Sequence, residues 1–167
     1  IGKNSIGFLS ASDRSAGLRV LPNDPNFGKN AQFNILRYSR DVLKNSNLGF
    51  SFTDRRFADS SNSVGTIDAR FQINQSNLFA IQASFSKTKE LDGRKRSGGA
   101  IYAVYNFENL KSDFGVSYSN LNKNFDAQSG FVRRTGFNRI YSYVGRSFRP
   151  KEKTWWVKVR PFIVGSA

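Results

Sequence analysis

The chain has 167 residues, enough for one domain, and 38% of them are hydrophobic, so a sizeable apolar surface is available for burial. Lys and Arg total 26 against 12 Asp and Glu, a formal charge of +14, and His, Cys and Met are absent. Without His or Cys, zinc fingers, thiol nucleophiles, Ser-His-Asp triads and disulfide frameworks are excluded. Because the sequence opens on Ile1, we expect a processed product or a fragment, with any export signal outside these residues.

Alternation of apolar and polar residues predicts an all-β chain. The alternation is clearest near residues 48–53 and within 66–73, 79–86 and 114–119. No comparable window has the apolar spacing of an amphipathic helix, and the longest apolar run, residues 100–105, is far below the ~20 residues of a membrane-spanning helix. In chain order the predicted strands lie near residues 3–12, 31–40, 48–53, 66–73, 79–86, 98–107, 114–119, 136–148 and 154–164.

The predicted connections alternate in length. The short ones are residues 41–47, 74–77, 108–112 and 150–153, and the long polar ones are residues 13–30, 54–63, 87–97 and 121–135. Short turns on one side and longer loops on the other are typical of an antiparallel up-and-down transmembrane β-barrel, whose spanning strands have ~9–11 residues. We therefore predict that residues 1–167 are a single segment of such a barrel.

Aromatic residues near the predicted strand ends could form interfacial girdles. They are Phe50, Phe52, Phe57, Phe107, Tyr141, Tyr143, Phe148, Trp155 and Trp156. A soluble β-sandwich or open sheet also buries one apolar face per strand, so it stays an alternative. A soluble basic sheet would bind polyanions such as nucleic acid or anionic polysaccharide, but the aromatics share a face with Ile, Val and Leu, which disfavours base stacking.

Residues 129–137 and 140–150 resemble a segment of a Gram-negative family of large outer-membrane barrels. Residues 34–49 are similar to another of its strand-turn-strand units. The members have no assigned function and often carry an N-terminal domain like the family 9 carbohydrate-binding modules, and we expect no such domain within these 167 residues. The resemblance implies a porin-like barrel wall in the outer membrane, with transport or glycan handling at the cell surface.

Nine strands is an odd number, whereas bacterial single-chain barrels close with even numbers. We therefore expect a piece of a larger wall. Its open edges would pair with the remaining strands of the same barrel or with other membrane-protein chains, since unpaired backbone groups are costly in lipid.

The basic residues of the predicted long connections are candidate contacts for lipopolysaccharide phosphates, and a solvated basic rim is the alternative. The candidates are Arg55, Arg56, Lys87, Lys89, Arg94, Lys95, Arg96, Arg133 and Arg134. A second set of charged residues falls on predicted polar strand faces and would line the lumen, either free to favour anionic solutes or paired with carboxylates. This set is Asp68, Arg70, Arg146, Lys158 and Arg160.

For catalysis the sequence offers little. Sugar hydrolysis needs two converging carboxylates, and the spacing of Asp68, Glu108, Asp113 and Asp126 brings no two of them together. We predict no enzymatic activity, no metal and no cofactor. The expected partners are outer-membrane lipid, lipopolysaccharide and further barrel strands, and no nucleic acid.

Overall fold

The computed structural model describes residues 2–14, 20–130, 132, 134–150, 155 and 157–167. Over these residues the chain forms strands and no helix, which confirms the all-β prediction. The strands are β1 (Asn4–Asp13), β2 (Ala31–Val42), β3 (Ser46–Phe57), β4 (Ser60–Asn74), β5 (Asn77–Lys89), β6 (Lys95–Glu108), β7 (Ser112–Leu121), β8 (Phe137–Arg146) and β9 (Phe162–Ser166).

All nine strands belong to one antiparallel sheet whose spatial order follows the chain order. Each strand pairs with its chain neighbours, and β1 and β9 form the two edges without pairing with each other. The sheet is therefore open. The antiparallel up-and-down arrangement is confirmed, and closure into a barrel remains a prediction.

The strands extend well beyond the alternating segments that predict them. β4 has 15 residues and β5 has 13, because polar residues continue the ladder on both sides of the apolar stretch. The last predicted strand, residues 154–164, is partly wrong: β9 begins only at Phe162, and Val159 makes an isolated bridge with Phe148. Residues 154 and 156 lie outside the described residues.

The regular alternation of connection lengths is wrong at two places. The long connection predicted over residues 54–63 is a two-residue turn at Ala58 and Asp59, with Ala58 at φ 48°. The connection predicted to be short at 150–153 runs from residue 147 to 161, and residues 151–154 and 156 within it are outside the described part of the chain.

We call the two ends of the sheet upper and lower. The upper end carries the connections 14–30, 58–59, 90–94 and 122–136, and the lower end carries 43–45, 75–76, 109–111 and 147–161. Residues that are directly opposite in neighbouring strands share a face. The register therefore assigns every strand residue to one of two faces.

The core is small and lies at the upper end of the sheet. Among the described residues, the buried hydrophobic side chains are Ala31, Phe57, Val64 and Phe125. Three of them belong to β2, β3 and β4, and Phe125 comes from the connection that follows β7. Most large apolar side chains are not part of this core.

Candidate functional site on the two faces of the sheet

One face of the sheet, which we call the apolar face, presents hydrophobic side chains on all nine strands. The register aligns Phe50 with Ile67, Ile67 with Ala83 and Ala83 with Ile101, so the apolar row crosses neighbouring strands without interruption. Many of its large side chains are 38–77% exposed: Ile6, Phe8, Tyr38, Leu48, Phe50, Phe52, Ile67, Ile73, Ile81, Phe85, Ile101, Phe114, Tyr118, Ile140, Val144 and Ile163. Others on the same face are half-buried: Leu36, Phe71, Phe79, Tyr105, Phe107 and Val116.

The opposite face, the polar face, carries mostly small polar side chains over β3–β7. Thr66 and Ser84 lie opposite each other and their hydroxyls are 2.8 Å apart. Ser117 and Ser119 continue this face on β7. Phe33, Ile35, Tyr102 and Val104 also lie on it, in the two predicted strands, 31–40 and 98–107, whose alternation is poorer.

Charged pairs on the polar face reach across glycines. Arg37 on β2 donates two hydrogen bonds to Asp68 on β4, one of them 2.8 Å from Nη2 to Oδ2, and the pair lies over Gly49 of β3. A Cβ atom at Gly49 would overlap both side chains. The predicted inward charge Asp68 is thus paired with a guanidinium from two strands away.

A second pair repeats this arrangement near the lower end. Arg160 donates two hydrogen bonds to Asp113, one of them 2.8 Å from Nε to Oδ1, and these groups lie against Gly145 of β8. The hydrogen bonds to Asp113 raise the pKa of Arg160 above its ordinary value. Arg160 therefore serves as a paired cation, the alternative that the sequence left open.

The other predicted lumen residues divide between the faces. Arg70 lies on the polar face, where its Nη2 is 3.3 Å from Gln72 Oε1. Lys158 lines an open cavity of about 520 Å³ together with Asp113 and Arg160. Arg146 lies opposite Ser112 on the apolar-face side of β8 and not on the expected polar face, and its guanidinium lies over the ring of Phe148.

Two carboxylates do come together, contrary to the sequence prediction. Glu108 and Asp113 are directly opposite in the register of β6 and β7 and line the same cavity. Because Asp113 is held at both oxygens by Arg160, it forms an ion pair rather than a free acid or base.

Residues 122–130, which we call the inner loop, fold back against the upper end of the polar face. Asn62 is fully buried beneath the loop; its Nδ2 donates to Asp126 O at 3.0 Å, and its Oδ1 accepts from Gln128 N at 2.9 Å. Ser86 is also fully buried, and its hydroxyl accepts from Asp126 N at 3.1 Å. Satisfied buried polar groups of this kind fix one loop position.

The inner loop depends on Gly98 and on two arginines. The backbone of Asn124 and Phe125 lies so close to Gly98 that a Cβ there would overlap it. Arg96 Nη2 donates to Asp126 Oδ2 at 2.8 Å, and Arg55 Nη1 donates to Gln128 Oε1 at 2.9 Å. The sequence predicts none of these contacts, although the pair Gly98-Gly99 and an aromatic in a polar loop were available signals.

The predicted lipopolysaccharide contacts are not a single loop cluster. Arg55, Arg56, Lys87, Lys89, Lys95 and Arg96 lie in strands, so their placement in long loops is wrong. Alternation then separates them: Arg55 and Arg96 point to the polar face and hold the inner loop, whereas the other four lie on the apolar-face side.

The remaining predicted contacts lie in connections. Arg94 is in the β5–β6 turn, where its backbone and its Nε donate to Asp92 at 3.0 and 2.6 Å. These two bonds hold the pKa of Asp92 below its usual value, and the backbone bond has the larger effect. Arg134 is exposed in the connection after β7, and Arg133 lies outside the described residues.

The aromatic girdle prediction is partly wrong. Phe50 and Phe52 lie on the apolar face, but Phe57 is buried, and Tyr141 and Tyr143 lie on the polar face. Tyr143 lies over Gly115, where a Cβ would overlap its ring. Trp155 is 96% exposed, and Trp156 falls outside the described residues.

Comparison with known proteins gives no relative. No protein-family model, no curated protein and no solved structure matches this chain. In the portion of the chain that the structure describes, no helix is long and apolar enough to cross a membrane. The same portion holds no group of three or more acidic, His or Cys side chains that could bind a metal ion.

Proposed function

We propose that the sheet is a section of wall in an outer-membrane β-barrel, with its apolar face against lipid and its polar face toward the interior. The observation that carries this proposal is the exposed apolar face, which continues across all nine strands. Ile67 is 62% exposed and Phe85 is 51% exposed in the middle of the sheet, far from either edge. Water-soluble proteins rarely expose contiguous apolar patches larger than a few hundred Å².

The height of the apolar band supports lipid as its occupant. Along β4 the band runs from Gly65 to Ile73, about 27 Å at roughly 3.4 Å per residue, or about 21 Å for a strand tilted by about 40°. The lipid-facing band of known barrels is roughly 25 Å tall. Polar residues begin above and below: Ser63 and Lys87 at the upper end, and Arg40 and Asn77 at the lower end.

The polar face supports an interior that is in contact with water. Its hydroxyls and amides, such as those of Thr66, Ser84 and Gln82, bond one another within the sheet. Against hydrocarbon they would lose the further hydrogen bonds that water supplies. The ion pairs Arg37–Asp68 and Arg160–Asp113 also belong to this face. A wall with lipid on one side and water on the other accounts for both faces at once.

The edge strands support a wall that continues beyond this sheet. All ten residues of β1 are exposed, and the strand has none of the Lys or Pro residues that commonly protect a free edge. In hydrocarbon the outer backbone groups of β1 need hydrogen-bond partners. Further strands of the same barrel, or of another membrane protein, would supply them.

Transport or glycan handling at the cell surface is the activity that the family resemblance of residues 34–49, 129–137 and 140–150 implies for the completed barrel. In that role the present sheet supplies wall and interior surface, and the proposal includes no catalytic step. The inner loop would narrow the interior at the upper end, since it stands on the polar face.

A cysteine scan tests the wall directly, because the chain has no cysteine of its own. Single variants Ala83→Cys and Ile81→Cys on the apolar face, and Ser84→Cys and Gln82→Cys on the polar face, are spin-labelled after folding into phospholipid vesicles. We expect the first two labels to collide with lipid-dissolved oxygen and the second two with a water-soluble nickel chelate.

Two results of the scan would contradict the proposal. If neither reagent reached Ala83→Cys and Ile81→Cys, the apolar face would be covered by protein, as in a soluble sandwich. If the nickel chelate reached all four labels equally, or if the protein stayed in water as a folded particle, the face would not be in lipid.

A further inference from the structure

Four cations form a patch on the apolar-face side of the upper end, just beyond the apolar band. Arg56 on β3, Lys87 and Lys89 on β5 and Lys95 on β6 make up this group, which we call the outer basic patch. Lys89 is directly opposite Lys95, and Ser61 separates Lys89 from Arg56 in the register. All four side chains are exposed.

The charge of the outer basic patch is largely uncompensated. Within the residues that the structure describes, Lys87, Lys89 and Lys95 have no ion pair, and Arg56 uses only its Nε, 2.9 Å from Asp54 Oδ2. Like charges directly opposite each other, as at Lys89 and Lys95, destabilise an antiparallel sheet. A local arrangement that works against the fold indicates a function for it.

The spacing of the cations suits phosphate groups. Two residues apart on one strand, Lys87 and Lys89 are separated by about 7 Å, and opposite positions such as Lys89 and Lys95 have Cβ atoms about 5 Å apart. A phosphate between two of them would accept charge-assisted hydrogen bonds from both. The patch is wide enough for two such groups.

The position of the patch selects a lipid rather than a free anion. Phe85 and Gly65 lie immediately below Lys87 and Ser63 on the same face, at the upper margin of the apolar band. A molecule with phosphate on its headgroup could place that headgroup on the lysines and its acyl chains along Phe85 and Ile67. A free phosphate would contact the lysines but would gain nothing from Phe85 and Ile67.

We propose that the outer basic patch binds the phosphate groups of a membrane lipid whose acyl chains lie on the apolar face. This inference rests on the proposed wall function. The proposed site uses four of the nine cations that the sequence predicts as phosphate contacts. Arg96 is occupied by Glu90 and Asp126, and Arg94 by Asp92.

Binding of diphosphoryl lipid A to the purified protein in dodecylmaltoside micelles tests the proposal. The triple variant Lys87→Ser, Lys89→Ser, Lys95→Ser removes three charges from the patch. The matched control Lys3→Ser, Lys44→Ser, Lys111→Ser removes three exposed charges from the lower end. We expect the apparent Kd to rise at least about 10-fold for the patch variant and less than about 2-fold for the control.

Two further arms identify the source of the phosphate. Phosphatidylcholine, which has no net charge, should bind the unaltered protein and the patch variant equally, and free pyrophosphate should not displace lipid A at equal concentration. Equal losses in both triple variants would mean a general charge effect, and no loss in either would remove the patch as a site. Displacement by pyrophosphate would mean that the patch binds any phosphate anion, and the proposal of a lipid site would be wrong.

The two proposals fail in different experiments. If the labels at Ile81 and Ala83 lie in lipid but the patch variant binds lipid A normally, this inference is wrong and the wall function stands. If those labels are not in lipid, the wall function itself is wrong, whatever the patch binds.

Discussion

The guanidinium of Arg37 and the carboxylate of Asp68 meet across an intervening strand, because Gly49 has no side chain to keep them apart. The pair connects β2 to β4, two strands that share no backbone hydrogen bonds. Side chains of this kind add a second set of links to a sheet in which backbone pairing joins only neighbours.

Replacing Gly49 with Val should therefore break the Arg37–Asp68 pair and destabilise the folded protein by about 1–2 kcal/mol, a figure kept low because Arg37 is partly exposed. The control is Gly65→Val on the apolar face, where a new Cβ meets nothing within 4 Å and a β-branched residue favours a strand. Urea unfolding of micelle-folded protein, followed by far-ultraviolet circular dichroism of the sheet, measures both. Equal destabilisation by the two variants would contradict the role of Gly49.

Gly98 and Gly99 form a second matched pair, since they are adjacent in sequence and face opposite sides of β6. Gly98→Ala should displace the inner loop from the polar face, whereas Gly99→Ala should not, because its Cβ would lie 3.7 Å from the nearest atom, Ser84 O. We expect tryptic cleavage after Lys123 to accelerate about 10-fold in the first variant, as for a loop-opening equilibrium shifted by about 1.4 kcal/mol. Unchanged cleavage in Gly98→Ala would mean that the loop tolerates the extra atom.

The Asp92 carboxylate should titrate below its ordinary pKa of 3.8, because Arg94 donates to it from both backbone and side chain. The charged form favours the β5–β6 turn, so this contribution is present above the ordinary pKa and is lost as the pH falls through the lower, folded value. Arg94→Ser should raise the pKa of Asp92 only partway to 3.8, since the backbone bond remains.

Carboxyl NMR titration checks this prediction, with Lys95→Ser as the control that removes a nearby charge but no hydrogen bond to Asp92. A pKa of Asp92 that did not change in Arg94→Ser, or that rose as much in Lys95→Ser, would count against the side-chain bond.

Sequence alternation predicts strands only where one face is apolar. It locates the middle of β3, β4, β5 and β7, and it places Ile67 and Phe85 on one face. It fails where the strands continue with polar residues on both faces, as at Ser60–Ser63, because such residues are equally typical of a loop. The turn at Ala58 also lacks the Asn-Gly or Asp-Gly sequence that would indicate a tight hairpin.

The inner loop and the outer basic patch were beyond sequence reasoning for a different reason. Both depend on which face a residue occupies at the upper end of a long strand. Arg55 and Arg56 are neighbours in sequence, yet one holds Gln128 and the other belongs to the patch. A run of basic residues gives no sign of that division until the length of the strand is known.

The order of the strands in space also has a consequence for how this sheet is made and changed. Because every strand pairs with its chain neighbours, the sheet can grow by adding one hairpin to the one before it, which avoids slow long-range searches. Gaining or losing a whole hairpin would alter the width of the sheet while leaving the other pairings intact. Such a chain can be lengthened in evolution by simple duplication of a two-strand unit.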